Sequence, residues 1–227
     1  ITANRRFYKS IRLSYSKTEI VDDINEIEHD IFREVLKYTK IYEQIELVSV
    51  ADVPARCGLG TSSTFTVALL NGLYAYKKEY VSLAELGQRA CKIEIEILGC
   101  PIGKQDQYAA AFGGFNAYFF HKDGRVSIEP VRIKEETLME LQTNIFLFHV
   151  KKERKSTAVL EVQDRKSRES DPKTLERLHK IKELGLWARK VFESGRIDEF
   201  GELLHEHWLT KKGLSDRVSD PVIDEIY

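Results

Sequence analysis

Apolar positions along the chain fall into a mixed pattern of short alternating runs and longer three- and four-residue repeats. Arg12 to Ser16 reads as a strand, and Ile24, Ile27, Ile31, Val35 and Tyr38 then mark one face of an amphipathic helix. Ile45, Leu47, Val48 and Val50 form a second β-rich run ahead of Pro54. After Ser63, the positions Phe65, Ala68, Leu69, Leu73 and Tyr76 predict a helix reaching about Lys78. Ser82-Leu83-Ala84-Glu85 is a capping box, opening a further helix that ends near Gly99. Ala117 to His121 and Arg125 to Val131 pair as a hairpin across an Asp-Gly turn. Asn144 to Val150 reads as an apolar strand, and Leu175 to Glu193 and Ile197 to about Lys212 as helices. The charged stretch from Asp164 to Pro172 is the expected mobile loop.

Strands alternating with helices, then helices alone, argue for an α/β or α+β protein. At 227 residues the chain can form one large domain or two small ones. The 35 basic and 36 acidic side chains are interspersed and the formal net charge is −1, so nothing points to nucleic acid. The densest basic spot, Lys151-Lys152-Glu153-Arg154-Lys155, reads as a solvated loop that could also attract a phosphorylated substrate. Cys57, Cys91 and Cys100 show no paired framework, which suits a reducing cytosol. No apolar run is long enough for a membrane span, and no signal peptide is visible, although the chain begins with Ile1 rather than Met. The expectation is a cytoplasmic enzyme, with a homodimer kept as an open assembly state.

The segment PARCGLGTSS, Pro54 to Ser63, lies where a strand hands over to a helix. Gly58 and Gly60 permit a left-handed or closely approached backbone. Thr61, Ser62 and Ser63 then occupy the cap and first turn, where unpaired N–H groups and the positive helix end meet. Such a terminus suits phosphates, and hydroxyls add ligands for a divalent metal. An ordinary capped helix start is the competing reading, and no Gly-Lys-Ser/Thr follows as a Walker A loop would require.

Two carboxylates stand out. At about 100° per residue, Glu94 falls near the middle of the apolar arc formed by Leu83, Leu86, Gly87, Ala90, Cys91, Ile93, Ile97 and Leu98, whereas Glu96 falls on the opposite face beside Lys92 and Arg89. A carboxylate on an apolar face needs an ion pair, hydrogen bonds or a cation. Asp106 precedes a short helical run, Tyr108 to Phe112, and reads either as its N-cap or as a functional acid. Lys104 is near enough to meet Asp106 or a phosphate, or is a surface lysine. His205-Glu206-His207 is not a metal motif, because position 209 is leucine and histidines two apart face different ways on a helix.

PARCGLGTSS resembles the phosphate-binding loop of the GHMP kinases, Pro-x-x-x-Gly-Leu-Gly/Ser-Ser-Ser. In the stretch Ile93 to Gln107, the residues Glu94, Gly99, Pro101, Gly103, Asp106 and Gln107 match the galactokinase pattern without a gap. The wording GKQDQYAAAFGG and the late HEHWLTKKGLS stretch are most similar to the branch that phosphorylates heptose 7-phosphate. The resemblance implies a two-domain α+β fold, truncated at both ends. Residues 1–137 would form a ribosomal-protein-like domain with a left-handed crossover, and residues 138–227 an incomplete ferredoxin-like domain. It implies that Gly58, Leu59, Gly60, Thr61, Ser62 and Ser63 hold the phosphates of ATP, that Ser62 and Glu94 bind Mg²⁺, and that Asp106 acts at the acceptor hydroxyl. Within the branch, Arg154, Lys155, Ser156 and Thr157 lie near the substrate. Trp208 and Lys211 also fit the branch pattern, though a packed tryptophan explains the first. The expected activity is transfer of the γ-phosphoryl group of ATP to a sugar or sugar phosphate, with a fucose-type kinase or a non-catalytic nucleotide or sugar sensor as rivals.

Overall fold

The computed structural model describes residues 1–53, 57–148, 160, 164–167, 169–215, 218–219 and 221–227. Its contacts gather into two compact units, Ile1–Gly113 and Gly114–Tyr227. The first unit contains strands β1 (Thr2–Arg5), β2 (Ile11–Ser14), β3 (Thr18–Val21) and β4 (Ile45–Val48). They form one sheet in the order β1-β4-β2-β3. β2 and β4 are parallel, with Leu13 opposite Leu47, and each has an antiparallel partner outside it.

The central strands are the two that the alternating pattern predicts. Ile11, Leu13, Ile45 and Leu47 all point inward with no exposed surface, the one-face burial that alternation encodes. β1 and β3 went unread because they are edges. Edge strands of four residues, TANR and TEIV, carry little apolar alternation.

Helix α1 (Asp30–Thr39) packs on the sheet through Phe32, Val35 and Leu36. The sequence predicts one helix from Ile24 to Tyr38, but the segment divides. Ile24–Glu26 is a 3₁₀ turn closed by a capping box between Asp23 and Glu26, and Ile27 is extended. The side chain of Glu19 then accepts the Glu28 N–H at 2.7 Å, holding residues 28 and 29 outside a helical ladder. Ile24 and Ile27 are nevertheless buried, so the apolar pattern located the core correctly while the backbone took a different path.

Helix α2 (Thr61–Lys77) brings Val67, Leu69, Leu70 and Leu73 to the same core. Helix α3 (Leu83–Cys91) starts at the expected Ser82–Glu85 capping box, with the Glu85 N–H bonded to Ser82 Oγ at 3.3 Å. It continues into a π-helical turn, Lys92–Ile97, and helix α4 (Gln105–Phe112) returns against α2 and α3. Gly87 permits the close approach of α3 and α4. A Cβ there would lie 3.0 Å from the ring of Tyr108, itself buried.

The second unit opens with the hairpin β5 (Asn116–Phe120) and β6 (Val126–Pro130), in the register Tyr118 opposite Ile128. Its turn carries Gly124 at φ +85°, as the Asp-Gly signal requires. Helices α5 (Glu135–Asn144), α6 (Pro172–Ser194), α7 (Asp198–Lys212) and α8 (Pro221–Ile226) follow. Leu141, Phe192 and Ile197 form a small core with Phe115, Val131 and Phe200 around it.

Two expectations change here. Asn144 ends a helix, and residues 145–148 form no strand, with Ile145, Phe146, Leu147 and Phe148 all exposed; residues 149 and 150 lie outside the described residues. An apolar run becomes a strand only where a neighbour takes its N–H and C=O groups, and residues 145–148 have none among the described residues. Residues 164–167 are helical rather than loop, and Pro172 is the first residue of α6, with Asp171 accepting the Thr174 N–H at 2.8 Å.

Two outcomes test this packing. Gly87→Val should destabilise the protein by about 1–3 kcal/mol, the usual cost of overpacking, read as a lower urea midpoint; an unchanged midpoint means that Tyr108 is free to step aside. The His29 ring packs against Tyr15, Phe32 and Phe65 at 5.0, 5.1 and 5.3 Å. Burial lowers its pKa, against the opposing field of Glu19. The unfolded chain therefore takes up this proton first, so the contribution of His29 is complete above about pH 6.5 and lost as pH falls below that value. Unfolding titrations should show a loss of stability on acidification that shrinks in His29→Phe, and an equal loss in both proteins would remove His29 as its source.

Candidate active site

Three segments of the first unit meet at the N-terminus of α2. The chain enters it through Gly58 at φ +81° and Gly60 at φ +65°. Gly60 is the N-cap residue, and no side chain caps the helix there. The bland reading of Thr61, Ser62 and Ser63 as caps thus does not describe them: they lie inside the first turn. Leu59 is half exposed, and a Cβ at Gly58 would meet nothing within 4 Å. Gly58 to Ser63 therefore present a turn of backbone N–H groups unclaimed by a capping side chain, at the positive end of a 17-residue helix.

Ser62 and Glu94 meet. The Ser62 hydroxyl donates to Glu94 Oε1 at 2.6 Å. Glu94 lies in the π-helical turn and is 1% exposed, whereas Glu96 two residues on is exposed. Of the apolar arc that surrounds Glu94 in the sequence, α3 and its π turn bury Leu86, Gly87, Ala90, Cys91 and Ile93, while Leu83 and Ile97 are exposed. Glu94 Oε2 accepts the side-chain N–H of Gln107, Nε2, at 2.7 Å. Both partners are neutral, and among the described residues no lysine, arginine or histidine pairs with Glu94. The buried ion-pair alternative from the sequence is therefore not what these residues form.

Asp106 approaches from the other side. It occupies the first turn of α4, one residue past its start, while Lys104 is the N-cap residue. Asp106 is thus not a helix cap. It is exposed, and its carboxylate makes no hydrogen bond or ion pair among the described residues. A Cβ at Gly60 would come within 3.0 Å of both Cγ and Oδ2 of Asp106. Only a residue without a side chain lets the α2 cap and this carboxylate lie so close.

Other candidates separate from this place. His205 Nδ1 bonds the Tyr227 hydroxyl at 2.7 Å, and Trp208 packs against the same ring at 5.6 Å. His207 is half-buried, with its pKa lowered by burial and then by Lys211. Lys211 is exposed. Among the described residues no group of three His, Cys, Asp or Glu side chains gathers for a metal. Burial pushes the Cys91 thiol up to about 12, which makes it inert at neutral pH. Arg154, Lys155, Ser156 and Thr157 lie outside the described residues, as do Pro54, Ala55 and Arg56 of the glycine-rich segment. No described helix is long and apolar enough to cross a membrane.

Sequence reasoning gave Gln107 no role. The available signal was the one that singled out Glu94: Gln107 shares the buried face of α4 with Tyr108, a polar side chain where the pattern asks for an apolar one.

Gly60→Ala should cost about 1–2 kcal/mol for a side chain held at positive φ. It should also displace Asp106, seen as shifted backbone amide resonances at the start of α4. Undisturbed α4 resonances in a folded variant would show that the cap and Asp106 are not in close contact.

Comparison with known proteins places this geometry. Residues 25–114 match the GHMP kinases N terminal domain. The chain is 32% identical over 198 residues to D-glycero-alpha-D-manno-heptose 7-phosphate kinase of Campylobacter jejuni, covering 87% of this chain and 58% of that protein. It is 23% identical over 179 residues to the bifunctional fucokinase/GDP-fucose pyrophosphorylase of Arabidopsis thaliana, covering 78% of this chain and 17% of that protein. In structure it is similar to a D-glycero-D-manno-heptose 1-phosphate kinase from Bacteriodes thetaiotaomicron. The TM-score is 0.73 at 24% identity, over 93% of this chain and 66% of that one. The chain thus spans about three-fifths of the length of the first relative. The helix cap, the π turn and α4, which together bring Ser62, Glu94, Gln107 and Asp106 into one place, all fall inside the segment that matches the GHMP kinases N terminal domain.

Proposed function

We propose that the intact protein is an ATP-dependent sugar kinase that transfers the γ-phosphoryl group to a hydroxyl of a sugar phosphate, heptose 7-phosphate above others. The observation that carries this reading is the convergence of an uncapped helix N-terminus, a buried carboxylate and an exposed carboxylate that is unpaired among the described residues. Backbone N–H groups from Gly58 to Ser63 would cradle the phosphates. Ser62 and Glu94 would hold Mg²⁺, and Asp106 would meet the acceptor.

The residues fit such an ion. Glu94 is an ionisable group in an apolar surrounding, given two neutral donors and no cation among the described residues. Its oxygen lies 2.6 Å from Ser62 Oγ. A carboxylate and a hydroxyl are both oxygen donors of the kind Mg²⁺ prefers, and these two would hold it jointly. One carboxylate and one hydroxyl are few ligands, which suits an ion that keeps waters and shares substrate phosphates. When bound, the ion supplies charge neutralisation at the β- and γ-phosphates.

Asp106 would orient the acceptor hydroxyl and take its proton as the new P–O bond forms and the bond to ADP breaks. An exposed carboxylate with no partner among the described residues is available for that role, and the glycine at position 60 keeps it beside the phosphate-holding turn. Positioning and fixed charge would supply most of the rate. The two heptose kinases are named for different phosphate positions, and the plant relative is a fucokinase, so the acceptor is the part to test most widely. We also propose the domain division at 137/138 that the family resemblance implies.

The test is ATP turnover by the intact protein with Mg²⁺ and a panel of heptose 7-phosphate, heptose 1-phosphate, fucose and galactose. Asp106→Asn should lower turnover by roughly 10²-fold or more, the scale of a positioned acid–base group, while calorimetry shows ATP binding intact. Near-normal turnover would remove Asp106 from the acceptor site. Loss of ATP binding as well would place it at the nucleotide.

A further inference from the structure

We infer that Gln107 is a positioning residue that holds the Glu94 carboxylate in a fixed plane while leaving its charge free for a cation. The inference rests on the reading of Ser62 and Glu94 as the Mg²⁺-holding pair, and concerns a residue that reading leaves without a role.

Gln107 has no exposed surface, and it reaches Glu94 from α4 while Ser62 reaches it from α2. Each donates to a different oxygen: Ser62 Oγ to Oε1, Gln107 Nε2 to Oε2. Two donors on the two oxygens leave the carboxylate no free rotation. They also divide its labour. Oε2 is tied to a fully buried amide, whereas Oε1 is tied to a hydroxyl on an exposed residue that can turn its proton away and offer a lone pair instead.

The other end of Gln107 shows that this place was not chosen for packing. Its Oε1 is buried and has no hydrogen-bond partner among the described residues. A buried acceptor left unsatisfied is costly, and methionine would fill nearly the same space without that cost. A lysine would bond the carboxylate more strongly, but would cancel its charge. A neutral donor such as this amide can bond Glu94 and still leave it negative. Glutamine is therefore explained by the ion that Glu94 is to hold, in the way outer partners fix metal-binding carboxylates.

The proposal separates three variants of the intact protein: Gln107→Met, Gln107→Lys and, as control, Glu94→Gln. Calorimetry measures ATP affinity without metal and across a Mg²⁺ titration, and thermal unfolding measures stability. Gln107→Met should lower the Tm, since it leaves the buried Glu94 Oε2 without its donor, but keep metal-free ATP affinity, while the Mg²⁺ concentration needed for tight binding rises about 10–100-fold. Gln107→Lys should lose the Mg²⁺ effect altogether and bind ATP without metal at least as well as the parent. Wild-type Mg²⁺ dependence in both variants overturns the proposal. So does Gln107→Met losing stability and metal-free ATP binding together, since Gln107 would then be a packing residue. Failure of the underlying reading looks different: the parent protein binds ATP equally with and without Mg²⁺, and Glu94→Gln changes nothing.

Discussion

The carboxylate of Glu94 is an ionisable group placed where water does not reach, with no cationic partner among the described residues. Burying such a group is unfavourable unless its oxygens are satisfied. Here one donor comes from the start of α2 and the other from α4. The requirement therefore ties together three segments of the chain. α2 must present its first turn, the π turn must aim Glu94 at it, and α4 must close from behind.

The backbone irregularities follow from the same requirement. A π turn adds a residue to the local repeat and lets the helix change direction while keeping its hydrogen bonds. Here it ends with the Leu98 N–H bonded to Ile93 C=O, and the Cys100 N–H reaches the carbonyl of Glu94 itself at 2.9 Å. The chain can then turn through Gly99, at φ +65°, and come back as α4. Gly87 and Gly60 serve the return. One lets Tyr108 lie against α3, and the other lets Asp106 lie against the cap of α2. Side-chain room at both glycines is spent on bringing α4 close, so the two halves of the site, Glu94 with Gln107 and Asp106 with Gly60, are set by one helix.

How much of this was legible depends on the range of the interaction. Burial of Glu94 was legible because it is a property of one helix: the neighbouring apolar residues define the face, and the carboxylate sits on it. The central strands β2 and β4 were legible for the same reason, while the edges β1 and β3 have too few buried positions to leave a pattern. The break after Glu26 was hidden because the hydrogen bond that causes it comes from Glu19, on another element. The meeting of Gly60 with Asp106 was beyond any periodicity; only the resemblance to a kinase family joined the two segments. The division into units after Gly113 likewise reflects contacts between distant segments, which no local composition marks.

Gln107 lies between these cases. Its neighbours in sequence show a polar residue on a buried face, which is a local signal, but the partner that explains it is thirteen residues away in another element. A pattern that finds one buried polar side chain therefore asks for a second to satisfy it. Glu94 and Gln107 are such a pair, one accepting and one donating. Where a family motif contains both, their joint presence is better read as one hydrogen-bonded unit than as two independent matches. The same reasoning leaves Asp106 apart: it is exposed, needs no internal partner, and so can hold its charge for whatever approaches from solvent. A buried anion fixed by neutral donors and an exposed anion fixed by none are different tools. Under the proposed function, the first would keep its geometry while an ion is bound, and the second would change protonation as a substrate hydroxyl reacts.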